Sequence, residues 1–284
     1  NTGNIDPSKI EKKLSKKTKA ICVVHFLGIP VNMKKIISIA KKNKLFVLED
    51  CALSLGATYH KTHTGLLGDA GVFSFYPAKH ITTGEGGILI TKNKKIFNRI
   101  KLLKSLGINK TFLERKTPGI YDAIDVGFNY RMSEIHASIG VKQIEKINKF
   151  ITKRKKNFNF LKKILQKNKS IYILDSNNQK SKNSFYCMNV ILSDKLSKKR
   201  MEIIKYLNKR NIGTSIYYPQ PVPRMSYYKK KYGYKKNNFT NATIISDRSI
   251  SLPVGPHLSQ KDLQYISNNF LNCLKKFQWN LKLN

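Results

Sequence analysis

The sequence predicts a large α/β domain followed by a smaller α+β domain, and three observations carry the prediction. First, two apolar runs of strand length, Lys19 to Val24 and Leu45 to Leu48, flank a segment of helical spacing from Met33 to Lys42 with Ile36, Ile37 and Ala40 on one side. Strand, helix and strand in so short a span read as a βαβ unit of a parallel sheet. Second, a long helical pattern runs from Ser133 to about Gln166. Third, the chain then alternates between short strands and helices to its end. The 284 residues suffice for both domains without disulfide support, and the boundary is expected near 145, giving 1–145 and 146–284.

Taken in order, Asp6-Pro7 pairs an N-cap residue with a first-turn proline and predicts a short helix through Leu14. The first two strands end on His25 and on Glu49-Asp50, at the carboxyl edge where open α/β sheets bind ligands. Strands follow at Gly71 to Phe75 and Gly87 to Thr91, joined through the turn Thr82-Thr83-Gly84-Glu85-Gly86-Gly87. Ser133 is the expected cap of the long helix, whose Ile135, Ile139, Ile144, Ile147, Ile151, Phe158, Leu161 and Leu165 fall near one face, and which is expected to bridge the domains. After it come a strand at Phe185 to Leu192, a helix from Ser197 to Asn211 stopped by Gly213, an extended Tyr217-Tyr218-Pro219 segment, and a last helix capped by Ser259.

The charge balance is extreme: 54 Lys and Arg against 16 Asp and Glu, a formal net charge of +38. Such a surplus ordinarily raises nucleic acid as a partner. Here the lysines are spread over nearly every segment among Asn and Ile rather than gathered in a stripe with aromatics, which reads as composition bias that can still favour anionic substrates. The cysteines Cys22, Cys51, Cys187 and Cys273 form no CxxC pair, as suits a reducing compartment. His63, His80, His136 and His257 have no metal-ligand spacing, so no metal is expected. No apolar stretch reaches membrane-spanning length, and a cytoplasmic location is expected.

One lysine stands apart by its setting. Lys79 follows a strand and a Tyr76-Pro77 corner and precedes the glycine turn, where partial desolvation would lower its pKa and make its amine nucleophilic. Ser74, five residues earlier, offers a hydroxyl to a phosphate, and the glycines open the backbone to a bulky group. Asp50 at its strand end could hold a ring nitrogen protonated, or could equally serve as a turn former.

The segments EDCALSLGATY (49–59), GDAGVFSFYPAKHITTGEGG (68–87) and GFNYRMSEIHASIG (127–140) resemble the DegT/StrS-type nucleotide-sugar aminotransferases, and NIGTSIYYPQP (211–221) and SLPVGPHLS (251–259) are similar to that family's small domain. The resemblance implies a pyridoxal 5′-phosphate (PLP) enzyme of the fold type I aminotransferase class, with a three-layer large domain and a smaller α+β C-terminal domain. It implies Lys79 as the Schiff-base lysine, Asp50 as partner of the pyridinium nitrogen, Ser74 as a phosphate contact, and Asn129 as a residue that reaches the phosphate in the partner's site of a homodimer, with Arg131 supporting its loop. It further implies transfer of an amine, with glutamate as donor, to a nucleotide-linked keto sugar for polysaccharide or glycoconjugate synthesis. His25, Tyr217, Tyr218 and Arg224 are candidate substrate contacts, each with a structural role as the alternative. Two departures stand out: Leu53 occupies a position that is polar in relatives, and Asn1 to Pro7 matches a segment well inside the family's large domain, so that the part carrying a phosphate-binding turn is expected to be missing. The alternatives are a dehydratase of the same family, in which histidine replaces the lysine, a non-catalytic fragment, and a basic nucleic-acid-binding protein.

Overall fold

The structure, a computed structural model, describes residues 2–176, 180–235 and 238–280; Asn1 and the last four residues of the expected second domain lie outside them. The chain divides into two compact units. One comprises 5–25 and 30–147; the other comprises 148 onward together with residues 2–4 and 26–29. The sequence reading places these last two stretches in the first domain. Their bonds explain the difference, because Asn4 accepts from the Phe26 N–H (2.9 Å) and donates to the Ile29 carbonyl (2.9 Å), while Gly28 O accepts from Ser184 N (3.1 Å).

In the first unit, β1 (Ala20–Val24), β2 (Phe46–Asp50), β5 (Ala70–Ser74) and β6 (Gly87–Ile90) form a sheet in the order β1-β2-β5-β6, with a hairpin of β3 (Thr58–Tyr59) and β4 (Thr62–His63) between β2 and β5 in sequence. The pairs β1-β2 and β2-β5 are parallel, and β5-β6 is antiparallel. Helix α1 (Met33–Lys42) is capped by Asn32, whose side chain accepts from Lys35 N. It places Met33, Ile36 and Ala40 over Ile21, Val23 and Val47, the buried alternate residues of β1 and β2. Burying each such side chain contributes about 1.5–3 kcal/mol. The other face of β1 carries the exposed Ala20, Cys22 and Val24.

Asp6 caps the first helical turn as expected, accepting from Ser8 N at 3.0 Å. Two 3₁₀ turns, Pro7–Lys9 and Glu11–Lys13, stand where one helix is expected. Only Ile10 there is buried, so no apolar stripe sustains an α-helix.

Helix α2 (Lys94–Leu103) is followed by α3 (Glu134–Ile144) and α4 (Ile147–Leu165), which replace the single long helix of the sequence reading. Ser133 caps α3 as expected, accepting from His136 N. The ladder tightens after Ile144, where Lys146 N bonds to Gln143 O. Ile151, Phe158, Leu161 and Leu165 are buried, whereas Ile135, Ile139 and Ile144 are exposed. The break adjoins the division between the units.

In the second unit, β9 (Met188–Leu192) lies between β7 (Ile171–Ile173) and β10 (Ser249–Leu252), antiparallel to both; a two-residue strand β8 (Ser181–Lys182) precedes β9. Phe158, Leu161 and Leu165 of α4 share its core with Met188, Val190 and Phe270. The expected helix over 197–211 is two, α5 (Asp194–Ser197) and α6 (Arg200–Asn208). The stop assigned to Gly213 is made by Asn211, which takes a left-handed φ of 57° while Ile212 N returns to Leu207 O. Helices α7 (Ser226–Tyr232) and α8 (Thr240–Arg248) lead to β10. Helix α9 (Gln260–Asn280) begins at Ser259, which accepts from Asp262 N and donates its own N–H to the Asp262 carboxylate. None of the described helices is long and apolar enough to cross a membrane.

Candidate active site

The alternation of β2 sends Glu49 and Asp50 to opposite faces of the sheet. Val47 and Glu49 point into the core under α1, and Asp50 points to the other face. The β2-β5 register pairs Asp50 with Val72, which puts Ser74, two residues on, on the same face at the carboxyl edge. Asp50 is held by its own turn: Oδ1 accepts from Ala52 N at 3.0 Å, and Oδ2 has no hydrogen-bond partner among the described residues. Ser74 Oγ accepts from Tyr76 N at 3.3 Å and keeps its proton to donate.

Lys79 is half-buried on the turn after β5, its N–H bonded to Tyr76 O. Burial pulls its ammonium below the ordinary lysine value, and the nearby Asp50 charge pulls it partly back. Burial, followed by the same Asp50 charge, raises the Cys22 thiol. The structure thus brings Asp50, Ser74 and Lys79 to one edge of one sheet. His80, beside Lys79, is buried.

The glycine turn has a structural reason. Thr82 Oγ1 donates to Phe75 O (2.9 Å), Thr83 N to the same carbonyl (3.0 Å) and Phe75 N to Gly86 O (2.9 Å), closing the loop that carries Lys79. Gly84 and Gly86 have positive φ, and a Cβ on Gly86 would lie 2.5 Å from Thr83 Oγ1 and 2.6 Å from Met132 Cε. Glycine here admits the N-terminal end of α3.

Asn129 lies on a segment that pairs with the end of α2, through Leu106 N to Phe128 O (2.9 Å) and Tyr130 N to Lys104 O (2.9 Å). Its side chain is exposed and accepts from Arg131 Nε at 3.0 Å, which is the support expected of Arg131. Phe128 and Tyr130 beside it stack on each other, both exposed. The second unit holds the other candidates. Tyr217 meets Tyr186 hydroxyl to hydroxyl at 3.1 Å, Tyr218 is exposed, and Arg224 makes two bonds of 2.9 and 2.8 Å to Asp247. Arg224 is thereby tied into the packing of α8.

His25 takes the structural alternative. It is 1% exposed and both ring nitrogens are engaged: Nδ1 accepts from Val31 N (3.1 Å), so the proton sits on Nε2, which meets Glu49 Oε2 at 2.9 Å. Sequence reasoning passed over Glu49, which is 0% exposed and also accepts from Gly65 N (2.8 Å), Leu67 N (2.8 Å) and Gly68 N (2.6 Å). Burial works against its charge, but the bonds from His25, Gly68 and Gly65 outweigh it and hold the carboxyl below its ordinary value. The signal was its place beside Asp50 with the GDAG motif (68–71) downstream. Donor atoms of His25, Glu49 and Cys51 lie within 4.8 Å of one another, a spacing that could suit a metal. The bonds already made by His25 and Glu49, and a Cys51 thiol pushed up to about 12 by burial, make this a hydrogen-bonded cluster instead.

The chain is similar to several known proteins. The chain is 34% identical over 273 residues to GDP-perosamine synthase of Escherichia coli O157:H7, covering 93% of this chain and 68% of that protein. It is 32% identical over 279 residues to the UDP-4-amino-4,6-dideoxy-N-acetyl-β-L-altrosamine transaminase of a Campylobacter jejuni strain, covering 97% and 72%. Helicobacter pylori PseC, an aminotransferase of pseudoaminic acid biosynthesis, superposes with a TM-score of 0.89 at 27% identity, covering 96% of this chain and 71% of that one. With residues 1–271 matched throughout, the chain belongs to the DegT/DnrJ/EryC1/StrS aminotransferase family.

Proposed function

We propose that this chain acts as a PLP-dependent aminotransferase that moves an amine, with glutamate as donor, onto a nucleotide-linked keto sugar for surface polysaccharide or glycoconjugate synthesis. The carrying observation is the placement of Asp50 and Ser74 on one edge of one sheet, with the half-buried Lys79, which has no ion pair among the described residues, on the turn that leaves the Ser74 strand. The donor set suits the cofactor: a carboxylate with one oxygen fixed and one available, a hydroxyl with a proton to give, and an amine of lowered pKa. Bound PLP supplies an aldehyde that condenses with amines and a ring that withdraws electrons from the bonded carbon. Asp50 would keep a proton on the ring nitrogen, Ser74 would donate to the phosphate, and Lys79, whose ammonium is disfavoured by desolvation, would act as nucleophile and then carry a proton at Nζ. A same-family dehydratase fits less well, because Lys79 occupies the position where that enzyme has histidine.

The functional unit in this reading is a homodimer in which Asn129 serves the neighbouring site. Its exposure beside Phe128 and Tyr130, and the exposed Ile135 and Ile139 of α3, support a second copy against this region. Tyr217 and Tyr218 remain candidate sugar-nucleotide contacts, and cytoplasmic residence follows from soluble nucleotide-sugar substrates. Reduction of the PLP-loaded protein with borohydride followed by peptide mapping tests the core of the proposal. Label on Lys79 is expected; label on another lysine refutes it. For the dimer, mixing Lys79→Ala and Asn129→Ala chains should restore activity that neither has alone, and absence of complementation refutes a shared site.

A further inference from the structure

We infer that Glu49 and His25 are positioning residues that hold Asp50 in place for the cofactor from the opposite face of the sheet, an inference that rests on the PLP reading above. One buried carboxylate collects four donors from two segments: the His25 ring at the end of β1, and the Gly65, Leu67 and Gly68 amides of the loop that leads into β5. His25 grips the same strand end twice, because its backbone N–H also donates to the Asp50 carbonyl at 3.1 Å. The loop is locked from its far side as well, with Asp69 Oδ2 accepting from Val47 N at 2.7 Å. Cys51 N then bonds to Val72 O, so the peptide unit that follows Asp50 is pinned at both its carbonyl and its N–H. The carboxyl ends of β1 and β2 and the approach to β5, which bears Ser74 and leads to Lys79, therefore meet at Glu49.

The charge of Glu49 is what lets it do this. Four N–H groups converge on its two oxygens, and a side-chain amide would turn an NH₂ toward at least one of those donors. Breaking a bond there leaves a buried polar group unsatisfied, and the loop must shift to relieve it. A shift at Glu49 passes to Asp50 through the shared backbone, whereas a role confined to stability would be indifferent to the chemistry on the other face.

A double-mutant cycle separates the two roles. PLP affinity is measured by titration in the natural protein for Glu49→Gln, Asp50→Asn and the pair, with amide hydrogen exchange at Gly65, Leu67 and Gly68 as a second readout. Expected are lost protection at those amides, and at least tenfold weaker PLP binding for Glu49→Gln where Asp50 is present but less than threefold in the Asp50→Asn background. Equal factors in both backgrounds overturn the positioning role. Unchanged affinity in Asp50→Asn alone overturns the PLP reading on which it rests. If circular dichroism finds Glu49→Gln unfolded, His25→Leu, which leaves three amides on the carboxylate, takes its place in the cycle with the same expected coupling, and additivity there refutes the inference.

Discussion

Gly71→Ala should destabilise the first unit more than any ordinary glycine substitution. A Cβ at this position would lie 2.2 Å from Gly65 Cα and 2.7 Å from Gly65 O, both backbone atoms. Carbon pairs settle at about 3.5–4.0 Å, so the two strands of chain must part by more than about 1 Å. Gly65 cannot retreat without drawing its N–H away from Glu49, where it bonds at 2.8 Å. Overpacking costs about 1–3 kcal/mol, and loss of one charge-assisted bond adds about 1.5–3. Their sum, about 2.5–6 kcal/mol, is a large share of the roughly 5–15 kcal/mol that holds a domain folded. Urea denaturation followed by circular dichroism measures it. A loss below about 1 kcal/mol would show that the 65–71 loop yields freely and that its approach to Glu49 is not tight.

Phe158→Ala should cost about 3–5 kcal/mol in the second unit, where the side chain is buried against Phe185, and calorimetry would show the loss as a lowered Tm. Asp50→Asn should slow turnover by an amount equivalent to about 2–4 kcal/mol with little change in thermal stability; near-normal turnover would remove Asp50 from the chemistry. Because the Glu49 carboxyl is held below its unfolded value, it contributes stability above that unfolded value and the contribution is lost as pH falls through the folded one. Glu49→Gln should therefore flatten the acid limb of the stability curve, and an unchanged limb would show that other carboxylates govern it.

The βαβ opening was legible because its alternation and helical spacing follow from burial on one face: α1 has the bounds that periodicity assigns, and both strands lie within a residue or two of theirs. Lys79 and Ser74 could be picked out because strand, corner and glycine turn are local signals. Glu49 could not, since its four donors come from residues 16 to 24 positions away, and only folding reveals that they converge. The split of the long helix was hidden for a related reason. Ile135 and Ile139 keep the helical period but are exposed, and periodicity reports which residues share a face without saying whether anything covers it.

α3 and the glycine turn approach each other at glycine positions on both sides. A Cβ on Gly140 would lie 3.1 Å from Thr83 Cγ2, and one on Gly84 3.8 Å from His136 Nε2. Long side chains can absorb a displacement by changing rotamer; a bare glycine pressed on a buried threonine has no such slack. α3 and the turn that follows Lys79 therefore approach each other closely there.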